Sequence, residues 1–353
     1  MGHKGAAIPP SKFPQMERDF GALPERISNQ TAWVEDGMSG TPTLTVVIPT
    51  FNCAQYIDEA IQSVYRQSDA HVEIIVIDDG STDGTPEILS RYSSIPGIRT
   101  IRTDNRGLGP ARNLGIELSQ TDYIYFLDAD DRVADTFIQT IRSVTTPDPA
   151  GHYPELICFS GTSFVDGDVS GAFFPDYQRQ TTGHFVGRGS ALEALDNSGS
   201  LFPNAYFYVS CRALWTRTGL RFKPIYHEDE EIIVQLLTSV ASTVVLGASL
   251  YHRRIRPGSI MTSGLGPRSI LGFSQIITTT LELLRSSDEV LVAHREFLKR
   301  RLFSFVVRYT ELCAANKVSP SFSTIARPLL ELKSVEATLR ALGNSFRVWL
   351  RIS

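Results

Sequence analysis

Two hydrophobic periods alternate along the front of this chain. Leu44-Thr45-Val46-Val47-Ile48 is a short, largely β-branched run stopped by Pro49, and it predicts a buried strand. Ile57, Ala60, Ile61, Val64 and Tyr65 then recur at helical spacing. Val72–Ile77 predicts a second strand, ending in Asp78-Asp79-Gly80. Thr85-Pro86-Glu87 reads as a helix start, with a capping hydroxyl, a first-turn proline and an acid at the positive end of the dipole. Ile98–Ile101 predicts a weaker strand, Gly109–Leu118 a helix and Tyr123–Leu127 another strand. Strand and helix alternating on so short a period predict βαβ units, an α/β class and a mainly parallel sheet. Ligands of such sheets sit beyond the carboxyl ends of the strands. Pro49-Thr50-Phe51-Asn52, Asp78-Asp79 and Asp128-Ala129-Asp130 are therefore expected to meet along one edge.

The rest of the chain is patterned differently. Residues 1–40 carry Pro, Gly, Ser and mixed charge without sustained periodicity and read as a loosely ordered tail. Residues 150–265 hold aromatic and Gly/Pro-rich segments such as Gly171–Pro175 and Leu201–Tyr208. Within them, the acidic run His227-Glu228-Asp229-Glu230-Glu231 opens a predicted helix through Leu237, and Tyr251–Arg256 is basic. From about residue 269 the pattern is helical. The expected organisation is a tail over 1–40, an α/β domain over 41–265 and a helical C-terminal region over 266–353. There is no internal repeat.

Composition narrows the function. The chain has 353 residues, 42% hydrophobic and 20% charged, which supports a real core. A net charge of −4 gives no general case for nucleic-acid binding. Cys53, Cys158, Cys211 and Cys313 are scattered, which indicates neither a zinc site nor a disulfide framework and fits a reducing cytoplasm. No apolar stretch approaches the roughly 18–20 residues that span a bilayer, and no signal core follows Met1–Lys4. The expected location is cytoplasmic, with room for peripheral contact with a membrane.

The chemistry concentrates at Ile124–Asp131, where an apolar run ends in three carboxylates. Residues two apart on an extended chain point the same way, so Asp128 and Asp130 can face one point. Two hard oxygen ligands suit Mg2+ or Mn2+, which also take substrate phosphates. Asp131 reads as a cap for the next helix and Asp78 as a capping residue of the strand-end turn. Asp79 can accept hydrogen bonds from a base edge or a ribose, and Arg112 can set a fixed positive charge near phosphate. Taking a proton from an attacking hydroxyl needs a further carboxylate, and Asp229 or Glu228 can supply it. Other motifs fail. Gly107-Leu108-Gly109 lacks the third glycine of a dinucleotide fingerprint, because Arg112 stands there. No Gly-Lys-Ser/Thr occurs, and no serine has a hydrolase-elbow setting.

Val46–Asn52, Val76–Thr85, Gly109–Ile116 and Tyr125–Asp131, in this order and spacing, resemble the family 2 glycosyltransferases of the GT-A fold, including those that build bacterial capsule and lipopolysaccharide glycans. His227–Leu237 resembles the family's Glu-Asp element at a helix start, and Tyr251–Thr262 a looser trailing segment. The resemblance implies a GT-A fold and inverting transfer from a nucleotide-sugar, usually a UDP-sugar, with Mn2+ or Mg2+. It implies that Pro49, Thr50, Phe51 and Asn52 border the nucleotide pocket, that Asp79 meets the uracil and that Arg112 lies near the nucleotide or phosphates. Asp128 would stand nearer the ribose or sugar and Asp130 on the metal, with Asp229 the expected base and Glu228 and Glu230 the alternatives in the same acidic run. Phe51 stands where many relatives have Tyr, so stacking is retained and a hydroxyl is lost. Two other classes compete with this reading. A sugar-nucleotide nucleotidyltransferase would carry a Gly-rich basic loop after the first strand, which Pro49–Asn52 is not. A non-catalytic binding derivative would have no need of intact Asp79, Asp128, Asp130 and Asp229.

The C-terminal region is basic. Residues 295–353 carry eleven Lys and Arg against four Glu. Leu298, Leu302, Phe305, Val306 and Tyr309 form an apolar helical face beside Lys299-Arg300-Arg301, and Phe346, Val348, Trp349, Leu350 and Ile352 sit near Arg347 and Arg351. A basic amphipathic helix of this kind can rest on an anionic membrane. The expected acceptor is a glycan or a lipid-linked molecule. The competing expectation for this region is a helical layer packed on the α/β domain.

Overall fold

Leu44–Thr50 forms strand β1, and every side chain in it is buried. Full burial on both faces is the mark of a central strand in a helix-covered sheet. The structure, a computed structural model, describes residues 43–148, 151–167, 177–257 and 266–332. The expected tail over 1–40, the Gly171–Pro175 segment, the trailing part of the Tyr251–Thr262 element beyond 257 and the Trp349 region lie outside these residues.

After β1 come α1 (Ile57–Tyr65), β2 (Val72–Asp78), α2 (Thr85–Ser90), β3 (Ile98–Arg102), α3 (Leu108–Leu118) and β4 (Tyr123–Phe126). These are the elements the periodicity predicts, displaced by a residue or two at their ends. The middle of the chain supplies β5 (Arg132–Val133), α4 (Phe137–Val144), β6 (Leu156–Val165), β7 (Gly183–Val186) and α5 (Ser190–Asn197). A 3-10 turn (Ala205–Phe207), β8 (Tyr208–Cys211), α6 (Arg212–Thr218), α7 (Glu228–Ser239) and β9 (Ser242–Ile255) follow. Helices α8 (Pro267–Arg285), α9 (Glu289–Ala293), α10 (Arg295–Ala315) and α11 (Phe322–Leu332) complete the described chain.

The strands join one sheet in the order β3-β2-β1-β4-β8-β6-β9-β5, with β7 also paired to β9. β3, β2, β1 and β4 are parallel, as the alternating pattern requires. The other half is mixed: β8 runs antiparallel to β4 and β6, while β9 is parallel to β6 and antiparallel to β5 and β7. The parallel expectation therefore holds for the N-terminal half and for the β6–β9 pair, while the other pairs of the second half are antiparallel. Helices α4, α5, α6 and α7 lie between these strands in the chain, but strands distant in sequence pair across them, so no regular strand-helix alternation announces their order.

Small residues let α3 lie close to the sheet. A Cβ on Gly115 would stand 2.3 Å from Val47 Cγ1, and one on Gly109 2.3 Å from the Lys223 carbonyl oxygen. Gly115→Ala is expected to destabilise the protein by about 1–3 kcal/mol through overpacking. A lower urea midpoint with an unchanged slope would show it; an unchanged midpoint would mean that β1 and α3 move apart freely.

Helices α8 and α10 share one core with the sheet. Leu298, Leu302, Phe305, Val306 and Tyr309 are buried together with residues of α7 and α8. Arg301 pairs with Glu230 of α7, and Arg300 reaches Asp196 of α5 at 2.6 Å. The stripe expected to face lipid is thus committed to the protein interior, and two of the neighbouring cations face the α/β domain. This corrects the membrane-contact expectation for α10. Among the described residues, no helix is long and apolar enough to cross a membrane.

Candidate active site

The site is built from the carboxyl ends of β1, β2 and β4 and from the first turn of α7. After β1, Asn52 takes a left-handed backbone with φ 53°, a conformation asparagine tolerates better than most residues. Its side-chain oxygen accepts the Thr82 N–H at 2.8 Å, and its own N–H donates to Ser81 Oγ at 2.9 Å. Asn52 thereby ties the β1 end to the loop after β2. Pro49 and Thr50 are buried, while Phe51, just past the strand end, is 47% exposed. Thr85 does not cap α2 as expected; its hydroxyl accepts the Cys53 N–H at 3.0 Å, and Asp83 accepts the Thr85 N–H at 2.9 Å.

The paired acids after β2 divide their work. Asp78 accepts the Ser81 N–H at 2.8 Å and pairs with Arg102 at 2.6 Å, the structural role the sequence suggests. Asp79 accepts the N–H groups of Arg106 at 2.9 Å and Gly107 at 2.7 Å, which fixes the loop leading into α3. Each carboxylate oxygen has two lone pairs, so Asp79 keeps acceptor capacity for a ligand.

Arg112 of α3 is buried among acids. Its side chain is 2% exposed, and its two terminal nitrogens go to Glu228 and, at 3.0 Å, to Asp128. The guanidinium also lies 5.4 Å from the Phe222 ring centroid and 6.0 Å from that of Phe126. A cation so enclosed ties the β4 end to the first turn of α7. A guanidinium cannot shed its proton, so the cluster stays cationic at its centre. It is shared among several acids, and burial is only partly compensated for each of them. Burial pushes the Glu228 carboxyl from 4.5 up to about 7, against the pull of Arg112. Asp128 is likewise raised, by burial first and by the nearby charges of Asp130 and Asp229, with Arg112 opposing.

Asp130 pairs with Arg256 at 2.9 Å. Asp131 is no helix cap. It is buried, and it accepts from the Tyr251 hydroxyl and the Arg254 N–H; α4 begins later, at Phe137, with Thr136 before it. Arg254 donates to the Asp130 carbonyl at 2.8 Å and also pairs with Asp166 and Glu59. The three arginines of the basic run thus differ: Arg254 locks the acidic loop to β9, Arg256 meets Asp130, and Arg253 donates to the Tyr177 hydroxyl at 2.8 Å.

Asp229 lies in the first turn of α7, after His227 in a left-handed conformation with φ 65°. One of its oxygens accepts the Glu230 N–H at 2.9 Å and the other accepts from Asn204 Nδ2 at 3.1 Å. Asp128, Glu228 and Asp229 all act on Arg112 electrostatically, which places the acids after β4 and those of α7 around one point. Sequence reading missed Asn204, because it sits in an aperiodic stretch with no motif around it. It also could not sort the arginines.

The donor set fits a divalent cation of the Mg2+ or Mn2+ kind. Asp128 and Asp130 are hard oxygen ligands, each about a quarter exposed. Among the described residues no group of three or more His, Cys, Asp or Glu is arranged to hold a metal ion by itself, so the remaining positions would fall to water and phosphate oxygens, as such ions prefer.

Comparison with known proteins agrees with this geometry. The family model for glycosyl transferase family 2 matches residues 45–171. The chain is 37% identical over 331 residues to the uncharacterized glycosyltransferase YibD of Escherichia coli strain K12, covering 88% of this chain and 94% of that protein. The crystal structure of S. aureus TarS 1-349 in complex with UDP-GlcNAc matches with a TM-score of 0.61 at 19% identity, over 87% of this chain and 81% of that one. Mannosyltransferase PcManGT from Pyrobaculum calidifontis, in complex with GDP-Man and Mn2+, matches with a TM-score of 0.50 at 16% identity, over 88% and 86%. The fold is GT-A, and the protein belongs to the family 2 glycosyltransferases, enzymes of the transferase class.

Proposed function

We propose that this protein transfers a sugar from a nucleotide-sugar, with UDP-sugars as the donor class, to a hydroxyl of a glycan or lipid-linked acceptor. Transfer is by single displacement with inversion at the sugar carbon. The observation that carries this reading is the bridge from Asp128 through Arg112 to Glu228, the neighbour of Asp229 in the first turn of α7, which brings acids from distant parts of the chain to one edge of the sheet. Phe51 stacks on the base, Asn52 and Asp79 border it, and Asp128 faces the ribose or sugar. Asp229 accepts the proton of the attacking hydroxyl, and Glu228 serves as the buried partner that keeps Arg112 in place. A Mn2+ or Mg2+ held by Asp128 and Asp130 would supply charge neutralisation at the diphosphate leaving group. The place of work is the cytoplasm, with any contact at the inner face of the plasma membrane made by parts other than the buried stripe of α10.

Calorimetry with UDP, with and without Mn2+, followed by hydrolysis of a panel of UDP-sugars, tests the reading. Asp130→Asn is expected to weaken UDP binding at least about 10-fold in the presence of Mn2+, on the scale seen when a metal site is disturbed. The metal-free affinity should change much less. Equal losses with and without the ion would remove Asp130 from the metal.

A further inference from the structure

We infer that Asn204 is a positioning residue that sets the direction of the Asp229 carboxylate. The inference rests on the assignment of Asp229 as the general base. The terminal torsion of an aspartate is broad, so a carboxylate on the first turn of a helix can swing. Here both oxygens are held, one by the Glu230 N–H at 2.9 Å and the other by Asn204 Nδ2 at 3.1 Å. The first hold comes from the helix itself. The second comes from a separate segment, and it determines where the outer oxygen stands.

The carrier of Asn204 is well anchored. Its backbone is extended (φ −58°, ψ 130°) and leads straight into the buried turn Ala205–Phe207, whose Phe207 N–H donates to the Asn204 carbonyl at 3.0 Å. Tyr206 stacks on Tyr251 with centroids 4.3 Å apart and planes at 6°. Tyr251 in turn donates to Asp131 of the acidic loop. One run of contacts, Asp131–Tyr251–Tyr206 and then the backbone to Asn204, therefore joins the donor-side acids to the base. The same scaffold fixes both, and so fixes the separation between the leaving group and the attacking hydroxyl.

The residue type follows from the electrostatics. Asp229 is felt by Arg112 of α3, Asp128 of the acidic loop, Tyr208 of β8, and His227, Glu228 and Glu230 of α7. An amide donates a hydrogen bond there without adding another negative charge. A carboxylate in its place would share a proton with Asp229.

The test uses the full chain and hydrolysis of whichever of UDP-glucose, UDP-galactose, UDP-N-acetylglucosamine and UDP-glucuronate the unaltered protein turns over fastest. Asn204→Ala is expected to lower kcat about 10- to 100-fold, the scale of a misplaced reacting group, with the KM for the donor nearly unchanged. Asn204→Asp is expected to move the acid limb of the kcat profile upward by about one pH unit or more, as a like charge at hydrogen-bond distance requires. Asn204→Ser, which keeps a donor, should recover part of the loss and serves if the aspartate variant does not fold. An unchanged kcat in Asn204→Ala, or a limb that stays put in Asn204→Asp while Asp229→Asn abolishes hydrolysis, overturns the positioning role alone. A limb that ignores Asn204→Asp and disappears in Glu228→Gln overturns the choice of base, and failure to hydrolyse any of the four donors overturns the donor reading.

Discussion

Asp229→Asn is expected to lower the rate of sugar transfer by at least about 10²-fold, the lower part of the range for general-base catalysis. UDP affinity should stay close to its starting value. The amide is nearly isosteric and keeps an oxygen for the Glu230 N–H, and the Asn204 amide can turn its own oxygen to accept from the new NH2. What it lacks is a basic lone pair. The dissection follows from the proposed roles: Asp128 and Asp130 are assigned to the donor and its metal, and Asp229, on α7, to the attacking hydroxyl. If UDP affinity disappears while residual turnover is unchanged, Asp229 binds the donor and another group takes the proton.

The largest stability effect is expected at Arg112. Arg112→Met keeps the stem among Phe126 and Phe222 but removes the charge that Asp128 and Glu228 share. Leaving a buried partner uncompensated costs about 3–5 kcal/mol. The sign with pH follows from Glu228, whose carboxyl in the folded protein is raised from 4.5 to about 7. An acid raised on folding holds its proton more tightly in the native state, so its contribution is fully present below about 4.5 and is lost as pH climbs through about 7. Without Arg112 that carboxyl rises further, and the loss continues to higher pH. The gap in urea midpoint between Arg112→Met and the unaltered protein should therefore be wider at pH 8 than at pH 5. Adding Glu228→Gln should recover part of it. A gap independent of pH would show that Arg112 acts through packing alone.

Arg112 also shows how far sequence reading reaches. Its helix, α3, is legible from the recurrence of apolar residues, and its place at a helix start beyond the strand ends is correct. Its partners are not legible, because Glu228 lies far along the chain and no local period connects them. Asp131 teaches the same lesson. Next to Asp130 it reads as a cap, but β9 passes beside it and claims both its oxygens through Tyr251 and Arg254. The apolar face of α10 is a third case. Helical spacing reveals that a stripe exists, yet a stripe that fits a lipid surface equally fits a protein core, and only the packing of α8 and α10 decides between them.

By itself the sequence determined the local order: which runs become strands or helices in the parallel half, and which strand ends carry carboxylates. Hydrophobic period and turn chemistry act within a few residues, so they survive in one dimension. Tertiary structure alone decided that a buried guanidinium holds Asp128 to Glu228, that Asn204 touches Asp229, and that the sheet continues through mixed strands into the middle of the chain. Charge pairing and burial depend on distance in space, and the side chains that meet at this edge are brought there by the folding of the whole sheet.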